Sequence, residues 1–199
     1  MKLLILFSFF ILLTSCSLAP FSPTTSGKSY GKGKMQFEAG NVNSTYNLKF
    51  GLGASENFDA GFVMEFGAIS TAAIFLKYAF LNNETGLSSA FEIGHGSTDS
   101  SVFYYGGLVA SLAFTKEFEL FVNGRINNVS TDETDIEKDK FNGNIKILAY
   151  DVNYLSLAYG MSIWFNQNNG LSLYSVYFRG TDVETLEDST FGASFLFKY

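Results

Sequence analysis

Tyr46-Asn47-Leu48-Lys49-Phe50-Gly51-Leu52-Gly53 alternates strictly between large apolar residues and polar or small ones. Successive side chains of an extended strand point to opposite faces. The stretch therefore presents Tyr46, Leu48, Phe50 and Leu52 on one face and Asn47, Lys49, Gly51 and Gly53 on the other. Working outward, the same division recurs. Phe58, Phe62, Met64 and Phe66 oppose Asp59, Gly61 and Glu65, and Ile74, Leu76, Tyr78 and Phe80 oppose Thr71, Ala73 and Lys77. Further on, Phe118, Leu120, Val122 and Ile126 oppose Glu119, Asn123, Arg125 and Asn127, and Phe191, Phe195, Phe197 and Tyr199 oppose Gly192, Ser194 and Lys198. From Gly33 onward the alternation predicts ten strands, at about 33–40, 44–54, 58–69, 71–81, 86–96, 101–115, 117–129, 150–165, 170–180 and 189–199, with eight as the alternative count.

Composition agrees. The 199 residues include 22 Phe, 11 Tyr and 19 Gly but only 2 Pro, which suits strands that hydrogen-bond on both sides. Mean hydropathy is high, at +0.13. Yet past the N-terminal run no apolar stretch approaches the roughly 20 residues of a membrane helix, whereas most predicted strands are near the ~9–11 residues that cross a bilayer when tilted. The connections decide which face is buried. Ser55-Glu56-Asn57, residues 82–85, Lys116-Glu117 and Gln167-Asn168-Asn169 are short, while 130–149 and 181–188 are long and acidic. They sort onto opposite ends. That layout predicts an all-β fold, a closed antiparallel up-and-down transmembrane β-barrel with its apolar face to lipid and its polar face to a lumen.

The chain ends add compartment. Met1-Lys2, the apolar run 3–13 and the small residues Thr14-Ser15 have the layout of a secretory signal. Cys16, the sole cysteine, follows directly, and the stretch resembles the lipobox of bacterial lipoproteins. Ser17 rather than Asp follows it, which by that resemblance favours the outer membrane. Phe195-Leu196-Phe197-Lys198-Tyr199 resembles the C-terminal assembly signal of outer-membrane β-barrels. The resemblances imply a signal peptide over 1–15, a lipidated flexible tether over 16–32 rich in Ser, Thr, Pro and Gly, and an outer-membrane barrel over 33–199. They also imply lipidation at Cys16, both termini in the periplasm, extracellular acidic loops, and outer-membrane lipid, lipopolysaccharide and the barrel-assembly and lipoprotein-sorting machineries as partners. The formal net charge of −6 argues against a nucleic-acid partner, which needs clustered Lys and Arg.

Chemistry-bearing residues fall into three groups. The predicted lumen carries Lys34, Lys49, Lys77, Arg125, Arg179 and Lys198 with Glu38, Asp59, Glu65, Glu92 and Glu119. Such charges suit either a polar conduit for a small solute or a salt-bridged plug. Small barrels are mostly filled by side chains, which favours the plug. His95-Gly96-Ser97 resembles the His-x-Ser element of outer-membrane lipid A 3-O-deacylases, which implies Ser97 as nucleophile and His95 as base. Thr98 stands where that family commonly has Asn, and no acid of matching parity appears on the next strand, so the expectation is a barrel without catalytic residues. Asp132, Glu133, Asp135, Glu137 and Asp139 form one acidic loop and Asp182, Glu184, Glu187 and Asp188 another, without EF-hand spacing. Trp164, Tyr159 and the tyrosines at 104, 105, 150 and 154 fall toward strand ends and read as interfacial girdles. No metal or other cofactor is expected. The functional expectation is a structural, adhesive or envelope-integrity barrel with a largely closed lumen, with a transport or ligand-binding barrel as the alternative.

Overall fold

The computed structural model describes residues 19–42, 44–67, 70–98, 100–131, 134–136, 145–147, 150–181 and 187–199. Its strands are β1 (Met35–Val42), β2 (Thr45–Gly53), β3 (Phe58–Phe66), β4 (Thr71–Leu81), β5 (Gly86–Thr98), β6 (Ser101–Ala113), β7 (Phe118–Thr131), β8 (Thr134–Ile136), β9 (Ile145–Ile147), β10 (Tyr150–Trp164), β11 (Asn169–Gly180) and β12 (Glu187–Lys198). Ten of them form a closed antiparallel barrel in which each strand pairs with its neighbour in sequence, β7 pairs with β10, and β12 returns to β1. The closing seam runs from Gln36 opposite Lys198 to Val42 opposite Gly192, and Tyr199 exchanges backbone hydrogen bonds of 2.9 Å with Met35 in both directions. Closure leaves no barrel edge unpaired, as backbone in hydrocarbon requires. The expected ten strands are all present. The additional pair, β8 with β9, is a separate two-stranded sheet within the 132–149 connection, where a plain loop was expected.

Four connections close one end of the barrel tightly, and three of these share a device. Ser55 Oγ accepts the N–H groups of Asn57 and Phe58, Thr115 Oγ1 those of Glu117 and Phe118, and Asn166 Oδ1 those of Asn168 and Asn169. A short polar side chain thus stands in for the backbone acceptor that a tight turn lacks. Across two neighbouring turns Lys116 Nζ donates to Glu84 Oε1 at 2.8 Å, which holds the exposed Glu84 carboxyl below its ordinary range. The C-terminus and the start of β1 lie at this short-turn end. The 132–149 connection and the 181–186 connection lie at the other.

The face assignment holds along the strands that predicted it. Ile74, Tyr78, Phe80, Ile126, Phe191 and Phe195 are exposed on the outer wall, while Asn47, Lys49, Asp59, Glu65, Lys77, Glu119, Asn123, Arg125 and Asn127 are buried inside. This inverts the pattern of a soluble sandwich, where apolar side chains turn inward. Substituting Phe62 or Leu120 by Arg is expected to destabilise the barrel by about 2–4 kcal/mol near the bilayer midplane. Asn123→Ser, on the lumen side, is expected to be far milder. Heat-modifiable gel mobility of the three variants in lipid checks the order, and the reverse order would mean that the faces are exchanged.

Candidate functional site: the occupied lumen

Residues 19–30, expected to be a flexible tether, lie inside the barrel. Ala19, Ser22, Thr24 and Thr25 are buried. Phe21 packs edge-on against Phe178 of β11 at 4.8 Å, and Ala19 bonds through its backbone to Tyr154 of β10. Tyr154 and Phe178 are near the long-loop end of their strands. Farther along, Thr24 meets Glu92, Ser26 meets Glu119 and Ser29 meets Asp59. Tyr30 lies over Gly51, where a Cβ would come within 2.1 Å of its ring. Gly31 (φ 87°) and Gly33 (φ 74°) then turn the chain into β1, using the left-handed backbone that glycine adopts without steric cost. The segment thus traverses the lumen from the long-loop end to the short-turn end. A ten-stranded barrel is wider than the eight-stranded kind that side chains can fill. This strap occupies the remainder.

Charge explains why the strap is held. The strands bury five acids, Glu38, Asp59, Glu65, Glu92 and Glu119, against three bases, Lys49, Lys77 and Arg125. Two acids find strand partners. Asp59 pairs with Lys77 at 3.0 Å, and Glu92 with Arg125 at 2.8 Å and Lys49 at 3.8 Å. The cations also sit over rings, Lys49 on Phe75, Lys77 on Tyr30 and Arg125 on Tyr105, at 4.2–4.7 Å. The strap answers the rest. Glu65 accepts the backbone N–H groups of Phe21 and Ser22 at 2.9 and 2.7 Å. Glu119 pairs with Lys28 at 3.2 Å and accepts from Ser26. Glu38 is shared, accepting from Gln36 of its own strand at 2.8 Å and from Thr25 of the strap at 3.3 Å. In the other direction Arg125 donates to Ser22 O at 3.0 Å, Lys77 to Lys28 O at 2.7 Å and Lys49 to Thr24 Oγ1 at 2.6 Å. Burying a charge is tolerable only with partners of this kind. Gly27 packs tightly against the backbone of β5. A Cβ there would meet the Ser88 carbonyl oxygen of β5 at 2.7 Å.

Eight of the eleven charges expected in the lumen are buried there. Three are not. Lys34 is exposed beyond the start of β1. Arg179 points outward, since the inward positions of β11 are Ser172, Tyr174, Val176 and Phe178. Lys198 is partly buried at the short-turn end, its Nζ 3.6 Å from the Trp164 ring centroid. Trp164, Tyr105 and Tyr154, expected in an interfacial girdle, are inward and buried, whereas Tyr104 and Tyr159 are exposed on the wall. Among the buried charges, Arg125 pairs with Glu92.

His95 and Ser97 share the outer face of β5, with Glu92 turned inward. The His95 ring stacks on Tyr104 at 4.4 Å, and its Nδ1–H donates to the Phe103 carbonyl at 3.0 Å. A main-chain oxygen thus occupies the place of a triad acid, and among the described residues no carboxylate bonds to His95. Asp99 and Cys16 lie outside the described residues. So do the acidic loop side chains, except Asp188, whose carboxylate accepts the N–H of Ser189 at 2.7 Å. The outer wall also has a groove of about 1070 Å³ at β6, β7 and β10, floored by Gly106, Ala110 and Gly124 and rimmed at the long-loop end by Leu155 and Arg179.

No family model matches the chain, and no curated protein does either. Among solved structures, the N-terminal β-barrel domain of Pseudomonas aeruginosa OprF is similar over 85% of this chain and 99% of that one, at 10% identity and a TM-score of 0.41. The KdgM porin is similar over 82% and 98%, at 9% identity and 0.43. The Yersinia pestis outer membrane protein Ail is similar over 84% and 100%, at 9% identity and 0.39. Likeness of this degree identifies no relative, and the reading of this chain rests on its own residues.

Proposed function

We propose that this chain is a bacterial outer-membrane β-barrel lipoprotein, acylated at Cys16, whose lumen is sealed by its own N-terminal segment. Its role is then structural, adhesive or concerned with envelope integrity, carried by the lipid-packed wall and the long acidic connections rather than by a solute path. The observation that carries this reading is the strap of residues 19–30, held by Glu65, Glu92, Glu119 and Asp59 along the length of the lumen. An apolar outer wall on a closed sheet supports membrane insertion. The lipobox-like Leu13-Thr14-Ser15-Cys16 supports export and acylation.

The test is conductance. The purified full-length protein in a planar bilayer is expected to pass no steady ionic current, because ordered side chains and the strap fill the path. Large, steady single-channel currents from the unmodified protein would overturn the sealed lumen and put a small-solute transport barrel in its place.

A further inference from the structure

We propose that the strap carries the acylated N-terminus through the barrel, so that the lipid on Cys16 sits in the leaflet at the long-loop face, opposite the C-terminus. This rests on the reading that the barrel spans a membrane and that Cys16 is acylated. It reverses the expectation that both ends of the mature chain emerge together.

The direction of the strap carries the inference. Tyr30 ends beside Asp59 and Gly51 at the short-turn end. Phe21 and Ala19 end against Phe178 and Tyr154 at the long-loop end. Cys16 precedes Ala19 by three residues, a reach of at most about 11 Å. The apolar band of such a barrel is about 25 Å tall, and the lumen is already filled by the strap itself. An acyl group on Cys16 therefore cannot return to the short-turn side while Ser22 and Thr24 hold their partners. The wall groove offers apolar surface on the same strands, since its lining residues Leu155 and Arg179 directly follow Tyr154 and Phe178. If the long connections face the medium, the chain displays its own lipid anchor on the cell surface.

The experiment uses full-length chains carrying one short epitope each, between Ser17 and Leu18, within residues 137–144, or between Lys116 and Glu117. Intact and permeabilised cells are probed with antibody, with palmitate labelling in parallel. The Ser17 epitope is expected to behave as the 137–144 epitope does, with no gain of signal on permeabilisation, while the Lys116 epitope is read only after it. A Ser17 epitope that sides with the Lys116 epitope would overturn the threading. The side on which the 137–144 epitope itself falls tests barrel orientation separately, and loss of palmitate label in all three chains would identify failure of the acylation reading instead. Should the Ser17 insertion prevent folding, Ser22→Cys in the untagged chain decides the matter. Ser22 is buried in the lumen, so its thiol is expected to resist a bulky maleimide in the folded barrel and to react after unfolding, and labelling in the folded barrel beyond that of the unmodified chain overturns the strap.

Discussion

Deleting residues 19–30, with Leu18 joined to Gly31, is expected to turn a silent barrel into a cation-selective pore. The wall does not depend on the strap for its hydrogen bonds, since every barrel strand is paired on both sides by other strands. What goes is the filling. Glu65 loses both of its backbone donors, and Glu119 loses Lys28 and Ser26. In a dry lumen these carboxylates would be strongly destabilising. Once the strap is gone, water enters and solvates them, so the cost falls on stability without preventing closure. Five buried acids then face three bases, and the excess negative charge selects cations. Single-channel recording with a salt gradient reads both the opening and the sign of selectivity. A deletion variant that folds yet stays silent would show that the strand side chains alone close the lumen.

The balance of charge also shows what was legible in the sequence. Period-two alternation fixed the wall because lipid demands an apolar outer face at every second position, and from Tyr46 to Lys77 no inward charge was misplaced. The alternation weakens where both faces turn apolar. On β11 the inward residues Tyr174, Val176 and Phe178 are as apolar as the outward Leu171, Leu173 and Tyr177. There a lone charge such as Arg179 looked like a lumen marker, yet it belongs to the wall near the long-loop end, where an outward Arg costs little. Lys34 and Arg179 do not face inward, and Lys198, although inward, is only partly buried at the short-turn mouth over Trp164; counting all three among the lumen charges made the lumen look balanced and hid the strap. With those three removed, the buried acids outnumber the strand bases. That surplus calls for donors from elsewhere, which Ser22, Thr24, Thr25, Ser26 and Lys28 supply. Their Ser- and Thr-rich composition read as a solvated tether because composition alone does not say which surface the hydroxyls meet. The absence of an acid matching His95 on the next strand, by contrast, was visible in the sequence, and the Phe103 carbonyl occupies that place.

Arg125→Ala is expected to give the largest loss of stability of any single substitution in the lumen. Arg125 joins three parts of the molecule. It pairs with Glu92 of β5 at 2.8 Å, donates to Ser22 O and Thr24 Oγ1 of the strap, and lies over the Tyr105 ring of β6. Removing it leaves Glu92, which is fully buried, with Lys49 at 3.8 Å as its remaining cation and a hydroxyl from Thr24. Breaking a buried pair from one side typically costs about 3–5 kcal/mol, because the surviving charge stays desolvated. Glu92→Gln breaks the same pair from the other side and leaves Arg125 and Lys49 facing each other across a neutral amide. The two changes share one contact, so their effects should not add. The double variant Arg125→Ala with Glu92→Gln is expected to be less destabilised than the sum of the two single losses, since no carboxylate is stranded. Urea titration of the barrel in detergent, followed by Trp164 fluorescence, gives the three midpoints. Additive losses would mean that Arg125 and Glu92 act independently, and that the strap rather than their ion pair carries the stability of the lumen.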